Sequence, residues 1–186
     1  SMNPNKAFGA MCSEAHSAAA RKIAGEGMVL LRNANQTLPI ELKERPTILV
    51  VGENAIKMMT VGGGSSSLKA KYEISPLQGI QERAKGLAEV KYVRGYVGDV
   101  GGEYNGVTTG QSLQDDRTPE QLTAEAVEAA KKADYVIFVG GMNKAHNQDC
   151  EDGDRLHYEL PYGQDQLISA LAAVNDKVVF VSISGN

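Results

Sequence analysis

The sequence predicts an α/β fold, a three-layer αβα sandwich built around a mainly parallel sheet. Four short apolar segments have the length and composition of strands, and helical patterns lie between them. Three of the four are continuously apolar, which is typical of strands covered on both faces. Strands that alternate with helices indicate βαβ units, whose crossovers place helices on both faces of the sheet. The predicted strands are residues 48–51, 90–93, 135–139 and 178–181.

The predicted helices are marked by capping residues and by apolar side chains at helical spacing. One helix is predicted before the first strand, because apolar residues recur at helical spacing within residues 19–28. Two glycines in this segment lower its helix propensity. Ser75 followed by proline opens the next helix, and Gly86 can stop it. Thr118-Pro-Glu-Gln is a capping-box pattern that opens a third helix. Apolar residues within 167–174 mark a fourth.

Composition indicates one ordinary globular domain. The chain has 186 residues, of which 42% are hydrophobic and 23% charged, with a net charge of −4. This charge gives no reason to expect nucleic acid or an anionic membrane surface as a partner. No apolar run approaches the ~20 residues that span a bilayer. Ser1-Met2 resembles a cloning scar, so residues 1–12 are interpreted as a tag or linker remnant and 13–186 as the domain.

Two regions depart from the regular alternation. Residues 96–117 are rich in glycine and polar side chains, and a mobile surface insertion is preferred here over a functional loop.

The last strand runs into Ser184-Gly-Asn with no helix after it, so we expect the sandwich to be cut short at its C-terminal side. An edge strand exposed in this way would favour a complementing fragment or a strand-mediated homo-dimer.

Two loops could hold a ligand, because ligands of open α/β sheets bind beyond the carboxyl ends of the strands. The first follows the first strand and contains residues 52–55 and a Gly/Ser run at 62–67. This run is not a P-loop, because it lacks the Gly-Lys-Ser/Thr that closes one. Two interpretations of the run stay open: a tight turn or linker, and a loop that lines a ligand. The second loop follows the third strand. It carries Asp149, Glu151, Asp152 and Asp154 beside Lys144, His146 and Arg155.

The residues alone leave several interpretations of this acidic loop open. A calcium loop of the EF-hand type needs a glycine at a fixed position and a glutamate at its end. Gly153 is out of register with that spacing, and no glutamate closes the loop. A zinc site from His146, Cys150 and His157 lacks a paired ligand cluster. A solvated acidic loop is the default for such a charge run.

A catalytic interpretation competes with that default. Carboxylates that repel one another beside a cation can acquire separate pKa values, and a partly desolvated one keeps its proton near neutrality. A general acid needs that property. Retaining glycosidases use two carboxyl groups about 5 Å apart, and one loop can supply one of the two.

A series of motifs occurs in a fixed order within a stretch that runs from about residue 18 to residue 186. They are AGEGMVLLRN (24–33) with LPI (38–40), ILVVGENA (48–55), GGGS (62–65), SPLQGI (75–80), ADYVIFVG (133–140), and EDGDR (151–155) with LP (160–161) and QDQLI (164–168). Together they resemble the second, α/β-sandwich domain of glycoside hydrolase family 3.

The resemblance implies a two-domain retaining β-glycosidase of the β-glucosidase type, which removes terminal non-reducing β-linked sugars. In that family an N-terminal barrel carries the aspartate nucleophile, and the sandwich lends an acid/base glutamate across the interdomain cleft. The matching position here is Glu151, three residues before Asp154, with Asp149 as second choice. The family often has glycine after the glutamate, where this chain has Asp152. Asp154 and Arg155 are expected to fix the loop, for example through a bidentate pair.

The resemblance also implies the remaining partners. Lys144, His146 and Asn147 are expected, from their position in the loop, to line the cleft and contact sugar hydroxyls. The substrate would be an oligosaccharide or β-glycoside, no metal or organic cofactor is needed, and the location would be periplasmic or secreted. Without the barrel domain of the same protein, the isolated chain is expected to be inactive. The alternative is a non-catalytic sugar-binding or interdomain structural module in which Glu151 is structural.

Overall fold

The chain forms two compact units in the computed structural model, Ser1–Gln36 and Thr37–Asn186. The first unit contains helix α1 (Glu14–Glu26), whose cap is Ser13, with Oγ accepting from the backbone N–H of His16 at 3.3 Å. This helix begins before the predicted segment because the capping serine lies there.

None of the helices in the described part of the chain combines the length and apolar composition needed to cross a membrane. The structure describes residues 9–60, 70–98, 103–104, 107–108, 111–145, 147–148 and 153–184.

The second unit is built on a parallel sheet with the strand order β2-β1-β5-β6. All three pairings within this sheet are parallel, as the sequence predicts. Two further strands of two residues each form a separate antiparallel pair. The strands are β1 (Thr47–Val51), β2 (Glu89–Val93), β3 (Glu103–Tyr104), β4 (Val107–Thr108), β5 (Tyr135–Gly141) and β6 (Val178–Ile183).

Three helices complete the sandwich: α2 (Pro76–Ala84), α3 (Pro119–Ala130) and α4 (Gln164–Ala172). The predicted caps are present. Ser75 Oγ accepts from the N–H of Gln78 at 3.2 Å. Thr118 and Gln121 form a reciprocal capping box, with bonds of 2.8 and 3.3 Å. These side chains satisfy N–H groups that a helix start leaves without partners.

Apolar layers cover both faces of the central strands. Alternate residues of a strand point to opposite faces, so a strand buried on both sides has no polar face. On one face, Leu49, Val51, Val136 and Phe138 pack with Ala126, Ala130, Leu167 and Leu171 of α3 and α4. On the other face, Ile48, Val50, Ile137 and Val139 pack with Leu77 and Ile80 of α2. The predicted three-layer αβα fold is confirmed.

Strand β6 differs from the prediction that both of its faces are covered. Phe180 and Val181, which point to opposite faces, remain 40% and 41% exposed. The reason is position, because β6 pairs with β5 on one side and no described strand pairs with its other side. At the opposite edge, β2 carries Glu89 and Lys91 with their charged groups 3.4 Å apart. Charges of this kind protect an edge from further pairing, and β6 has none.

The long stretch at residues 96–117 is anchored at both ends, so a mobile insertion is wrong for these parts. Tyr96 and Leu113 are 4% and 5% exposed. Gln111 bonds the turn after β1 twice, donating from Nε2 to Ile56 O at 2.7 Å and accepting from Met58 N at 2.9 Å.

A matched pair of phenylalanines tests the difference between centre and edge. Phe138 and Phe180 are neighbours across β5 and β6, with ring centroids 5.6 Å apart, yet only Phe138 is fully buried. We expect Phe138→Ala to lower the free energy of unfolding by about 3–5 kcal/mol. Phe180→Ala should cost about 1–2 kcal/mol, because part of its ring already contacts water. Urea unfolding of both variants measures this, and equal losses would contradict the edge position of β6.

Candidate functional site

The carboxyl ends of β1 and β5 meet at the point where the strand order reverses. From β1 the chain passes to β2 on one side and later returns to β5 on the other. Ligands of open α/β sheets bind in the crevice at such a point. The two loops predicted from sequence begin here, and Asn54 Nδ2 joins them by donating to Met142 O at 3.0 Å.

The turn after β1 requires glycine at its first position. Gly52 has φ +123°, a region that side chains rarely adopt. A Cβ there would lie 2.0 Å from the carbonyl oxygen of Val139. The turn is therefore pressed against β5, and the next three residues, Glu53–Ala55, are fully buried.

The carboxylate of Glu53 is buried in a cluster of donors and cations. Its Oε2 accepts from Arg94 Nη2 at 2.9 Å and from the N–H of Gly98 at 2.6 Å. The ammonium of Lys57 lies 3.9 Å from Oε1. The side chains of Glu53 and Lys57 are 0% and 3% exposed. A carboxylate withdrawn from water to this extent would be strongly destabilising without such partners.

Arg94 connects this cluster to the end of the 96–117 stretch. Its Nη2 also donates to Leu113 O at 2.5 Å, and its Nη1 lies 3.8 Å from Asp115 Oδ2. Arg117 approaches Asp115 more closely, with bonds of 2.6 and 2.9 Å from its guanidinium. These hydrogen bonds from Arg117 lower the pKa of Asp115 to about 2. The same bonds raise the pKa of Arg117.

A second network folds the loop that follows β5. The fully buried Asn143 donates from its backbone N–H to Gln148 Oε1 at 3.0 Å, and its Oδ1 accepts from Ala145 N at 3.0 Å. The hydroxyl of Tyr162 accepts from Gln148 Nε2 at 2.5 Å and from Asn143 Nδ2 at 3.3 Å. Tyr162 has φ +62°, a strained conformation for a bulky residue, and these contacts hold it there.

Tyr96 links the second network to the turn after β1 and to β5 through its ring and its hydroxyl. Its ring stacks on that of Tyr162, with centroids 6.2 Å apart and planes 9° apart. Its hydroxyl accepts from Asn54 N at 3.2 Å and donates to Val139 O at 3.4 Å. Burial raises the pKa of Tyr96, so this hydroxyl stays protonated and can donate.

Gly98 is where the two networks touch. A Cβ at this position would lie 2.7 Å from Glu53 Oε1, 2.8 Å from Asn143 Nδ2 and 3.0 Å from Tyr162 Cε2. Only a residue without a side chain fits between these groups, so the backbone after β2 packs directly against both loops.

Gln164 fixes the end of β5 from the first position of α4. Its fully buried amide forms two bonds with one residue, donating to Gly141 O at 2.9 Å and accepting from Gly141 N at 2.8 Å. The amide of Gln164 therefore bonds Gly141 with one donor and one acceptor, as the backbone of a neighbouring strand would. Helix α4 thereby holds the residue from which the acidic loop starts.

Of the residues predicted to form the site, three lie outside the described residues: Glu151, Asp149 and His146. The structure places Lys144 and Asn147 at half-exposed positions in the loop after β5, with φ +64° and +62°.

The predicted pairing of Asp154 with Arg155 is not formed within the described part of the loop. Arg155 instead donates from Nε to His157 O at 3.1 Å and from Nη2 to Tyr158 O at 2.6 Å. Its guanidinium lies 5.7 Å from the centroid of the Tyr158 ring. Arg155 thus bonds two backbone carbonyls of its own loop, while Asp154 is exposed.

A cavity of about 440 Å³ opens beside these loops. Its lining combines apolar side chains with an amide, a guanidinium, an imidazole and a carboxylate. The lining residues are Met142, Asn147, Gln148, Arg155, Leu156, His157, Glu159, Leu160 and Pro161.

Both loops were predictable from the sequence, but the side chains that hold them were not. Arg94, Tyr96 and Tyr162 follow strands or lie in short turns, and single polar residues at such places carry no periodic signal. Gln164 stood in a recognised motif, but its bonds to Gly141 depend on tertiary contacts.

Comparison with known proteins identifies the family. Residues 28–186 match the glycosyl hydrolase family 3 C-terminal domain. The chain belongs to this family. It is 44% identical to beta-glucosidase BoGH3A of Bacteroides ovatus, over 100% of this chain and 24% of that protein. It is 35% identical to the periplasmic beta-glucosidase of Salmonella typhimurium, over 93% of this chain and 23% of that protein.

Solved structures share the fold of this chain. A beta-glucosidase from Erythrobacter marinus superposes with a TM-score of 0.75 at 31% identity, covering 94% of this chain and 24% of that one. A beta-glucosidase from Kluyveromyces marxianus reaches 0.77 at 18% identity over 92% of this chain and 35% of its own, a likeness of fold alone. The chain spans about a quarter of the length of the two curated relatives.

The lowered pKa of Asp115 predicts a pH-dependent contribution to stability. The pKa of about 2 in the folded chain lies below the ordinary value of 3.8, so the ionised form favours folding. Asp115→Asn should lower the free energy of unfolding at pH 7 by about 1 kcal/mol. This difference should persist down to about pH 4 and vanish as the pH falls towards 2.

Denaturant unfolding between pH 7 and pH 2.5 measures this difference. The matched control is Asp116→Asn, at the neighbouring exposed position, which should change stability by less than about 0.5 kcal/mol. A loss in Asp115→Asn that stays constant over this pH range would contradict the pairing with Arg117.

Proposed function

We propose that this chain is the acid/base domain of a retaining β-glucosidase-type enzyme and that Glu151 is the acid/base residue. Membership of the family 3 C-terminal domains is the observation that carries the proposal. The relatives named above are called beta-glucosidases, which supports the substrate class. Glu151 stands in the Glu-x-x-Asp-Arg motif at the position where the family has its glutamate.

The proposed role has two stages. Protonated Glu151 donates to the glycosidic oxygen as the leaving group departs. As a carboxylate, Glu151 then takes a proton from the water that attacks the covalent glycosyl-enzyme. The nucleophile would be an aspartate of the N-terminal barrel domain, so the isolated chain would not hydrolyse glycosides.

The described residues on either side of the acidic segment support a positioned acid. On one side, the amide of Gln148 is bonded at both ends, to Asn143 N and to the Tyr162 hydroxyl. On the other side, Arg155 is bonded to two carbonyls of its own loop. A catalytic carboxyl group needs flanks that limit its movement to within a fraction of an ångström.

Other groups of the same loop would assist binding. Lys144, His146 and Asn147 would contact sugar hydroxyls, and Asp149 is the second candidate for the acid. The mechanism uses only side chains and water, without a metal or organic cofactor. One relative is named as periplasmic, which favours a periplasmic or secreted parent protein.

Kinetics of Glu151→Ala in the full-length protein test this proposal. For β-glucosides with poor leaving groups, kcat/KM should fall by about 10²–10⁴-fold, because protonation of the leaving group is lost. Substrates with good leaving groups should keep most of their first-step rate, and azide should restore turnover by replacing water as the nucleophile.

Two further variants make the comparison selective. Glu128→Ala, at an exposed position of α3, is the matched control and should behave as the wild type. Asp149→Ala tests the second candidate. If Glu151→Ala hydrolyses all substrates like the wild type, the acid is Asp149 or the domain is a non-catalytic sugar-binding or structural module.

We also propose that the isolated chain forms a homo-dimer through β6. The strand contains no charged residue from Val178 to Ile183 and exposes Phe180 and Val181 on its two faces. An uncharged apolar edge is a template for pairing with another strand. A second copy offers an identical edge, and two copies related by a twofold axis would pair these edges.

Sedimentation velocity of the wild type and Val181→Lys tests this association. The wild type should sediment as a dimer that dissociates on dilution, and the lysine variant should be a monomer, because an edge charge opposes pairing. Lys91→Ala on the opposite edge should leave the dimer unchanged. A wild type that is monomeric at all concentrations rules the association out.

A further inference from the structure

We infer that Glu53 is a positioning residue for the loop after β5, on which its buried charge acts through Gly98. The carboxylate fixes the backbone of Gly98, and Gly98 in turn lies against Asn143 and Tyr162. These two residues hold the loop that continues into the acidic segment. The expected effect on catalysis rests on the proposed function, whereas the effect on the loop does not.

The surroundings of Glu53 require a carboxylate rather than a neutral amide. Arg94 Nη2 and the N–H of Gly98 donate to Oε2 at 2.9 and 2.6 Å, and the ammonium of Lys57 lies 3.9 Å from Oε1. All three groups are donors. A glutamine at this position has one acceptor oxygen where the carboxylate has two, so its NH₂ group would face one of these donors. The hold on Gly98 therefore depends on the charge of Glu53 and not only on its shape.

Gly98 transmits the position of this carboxylate to the loop after β5. A Cβ on Gly98 would lie 2.7 Å from Glu53 Oε1 and 2.8 Å from Asn143 Nδ2. The same Cβ would lie 3.0 Å from Cε2 of the Tyr162 ring. The carboxylate, the amide and the ring thus contact one small residue, and close packing passes a shift of one group to the others. If the carboxylate releases Gly98, Asn143 and Tyr162 lose the backbone they pack against.

Tyr162 is the residue that responds when this support is lost. Its φ of +62° is costly for a bulky residue and persists only where the surrounding contacts enforce it. Its hydroxyl accepts from Gln148 Nε2 at 2.5 Å, and Gln148 Oε1 accepts from the N–H of Asn143 at 3.0 Å. A relaxed Tyr162 would withdraw its hydroxyl from Gln148. Since Gln148 stands three residues before Glu151 in the sequence, the change would reach the proposed acid along the chain.

Amide hydrogen exchange in the full-length protein tests the effect on the loop. In Glu53→Gln, the amides of Asn143 and Ala145, which are bonded within the loop, should exchange about tenfold faster than in the wild type. Glu89→Gln is the matched control, because Glu89 is an exposed, ion-paired glutamate at the other end of β2, and it should leave both rates unchanged. Gly98→Ala keeps the buried charge but forces the same groups apart. It should also raise both rates, and it decides the question if Glu53→Gln does not fold.

Kinetics of the full-length protein test the effect on catalysis. Glu53→Gln should lower kcat/KM about tenfold for methyl β-glucoside, which has a poor leaving group. An aryl β-glucoside with a good leaving group should stay within about twofold, because its departure needs little protonation. A displaced acid has this signature, whereas a loss of folded protein lowers both values equally. The double variant Glu53→Gln/Tyr162→Phe should be within about twofold of the slower single variant, because both changes act on the same bonds.

Glu151→Ala, measured in the same series, separates the role of Glu53 from the proposed function. If Glu53→Gln raises neither exchange rate, or slows both substrates equally, Glu53 is not a positioning residue, whatever Glu151→Ala shows. If the losses of the two single variants multiply in the double variant, Glu53 does not act through Tyr162. If Glu151→Ala resembles the wild type while Glu53→Gln still raises both exchange rates, the proposed acid is wrong and the effect of Glu53 on the loop stands.

Discussion

The buried carboxylate of Glu53 is the constraint on which the end of the sheet depends. A negative charge withdrawn from water is tolerated only where cations and N–H groups surround it. Arg94, Gly98 and Lys57 meet this need, and they come from the segment after β2 and from the turn after β1. Arg94 also bonds Leu113 O, so the same requirement fixes the return of the long 96–117 stretch.

The layers of the fold were predictable because they follow from periodicity. Continuous apolar runs identified β1 and β5, and Thr118 marked the start of α3 by a local capping pattern. The partial exposure of both faces of β6 was not predictable, since an apolar run does not reveal how much of a strand its neighbours cover. The anchored ends of the 96–117 stretch were missed for a similar reason. Their order comes from single long-range bonds rather than from their composition.

The two loops of the candidate site were predictable from the sequence, but their internal contacts were not. Strand order and loop composition placed ligand chemistry after β1 and β5, and the motif around Glu151 suggested a role. Arg155 does not pair with Asp154 but donates to two backbone carbonyls. Because every residue has a carbonyl, no sequence motif identifies such a partner. The stacking of Tyr96 on Tyr162 likewise joins residues 66 positions apart, beyond the reach of any local pattern.

The amide of Gln164 gives the acidic loop an anchor that its own sequence does not determine. Because one side chain of α4 pairs with both backbone groups of Gly141, the helix and the strand end form one rigid corner. The loop departs from this corner and returns to the same helix through residues 155–163. Insertions or deletions between the two anchors would therefore reshape the cavity without displacing the sheet. A loop held in this way can change in length and composition while the fold is preserved.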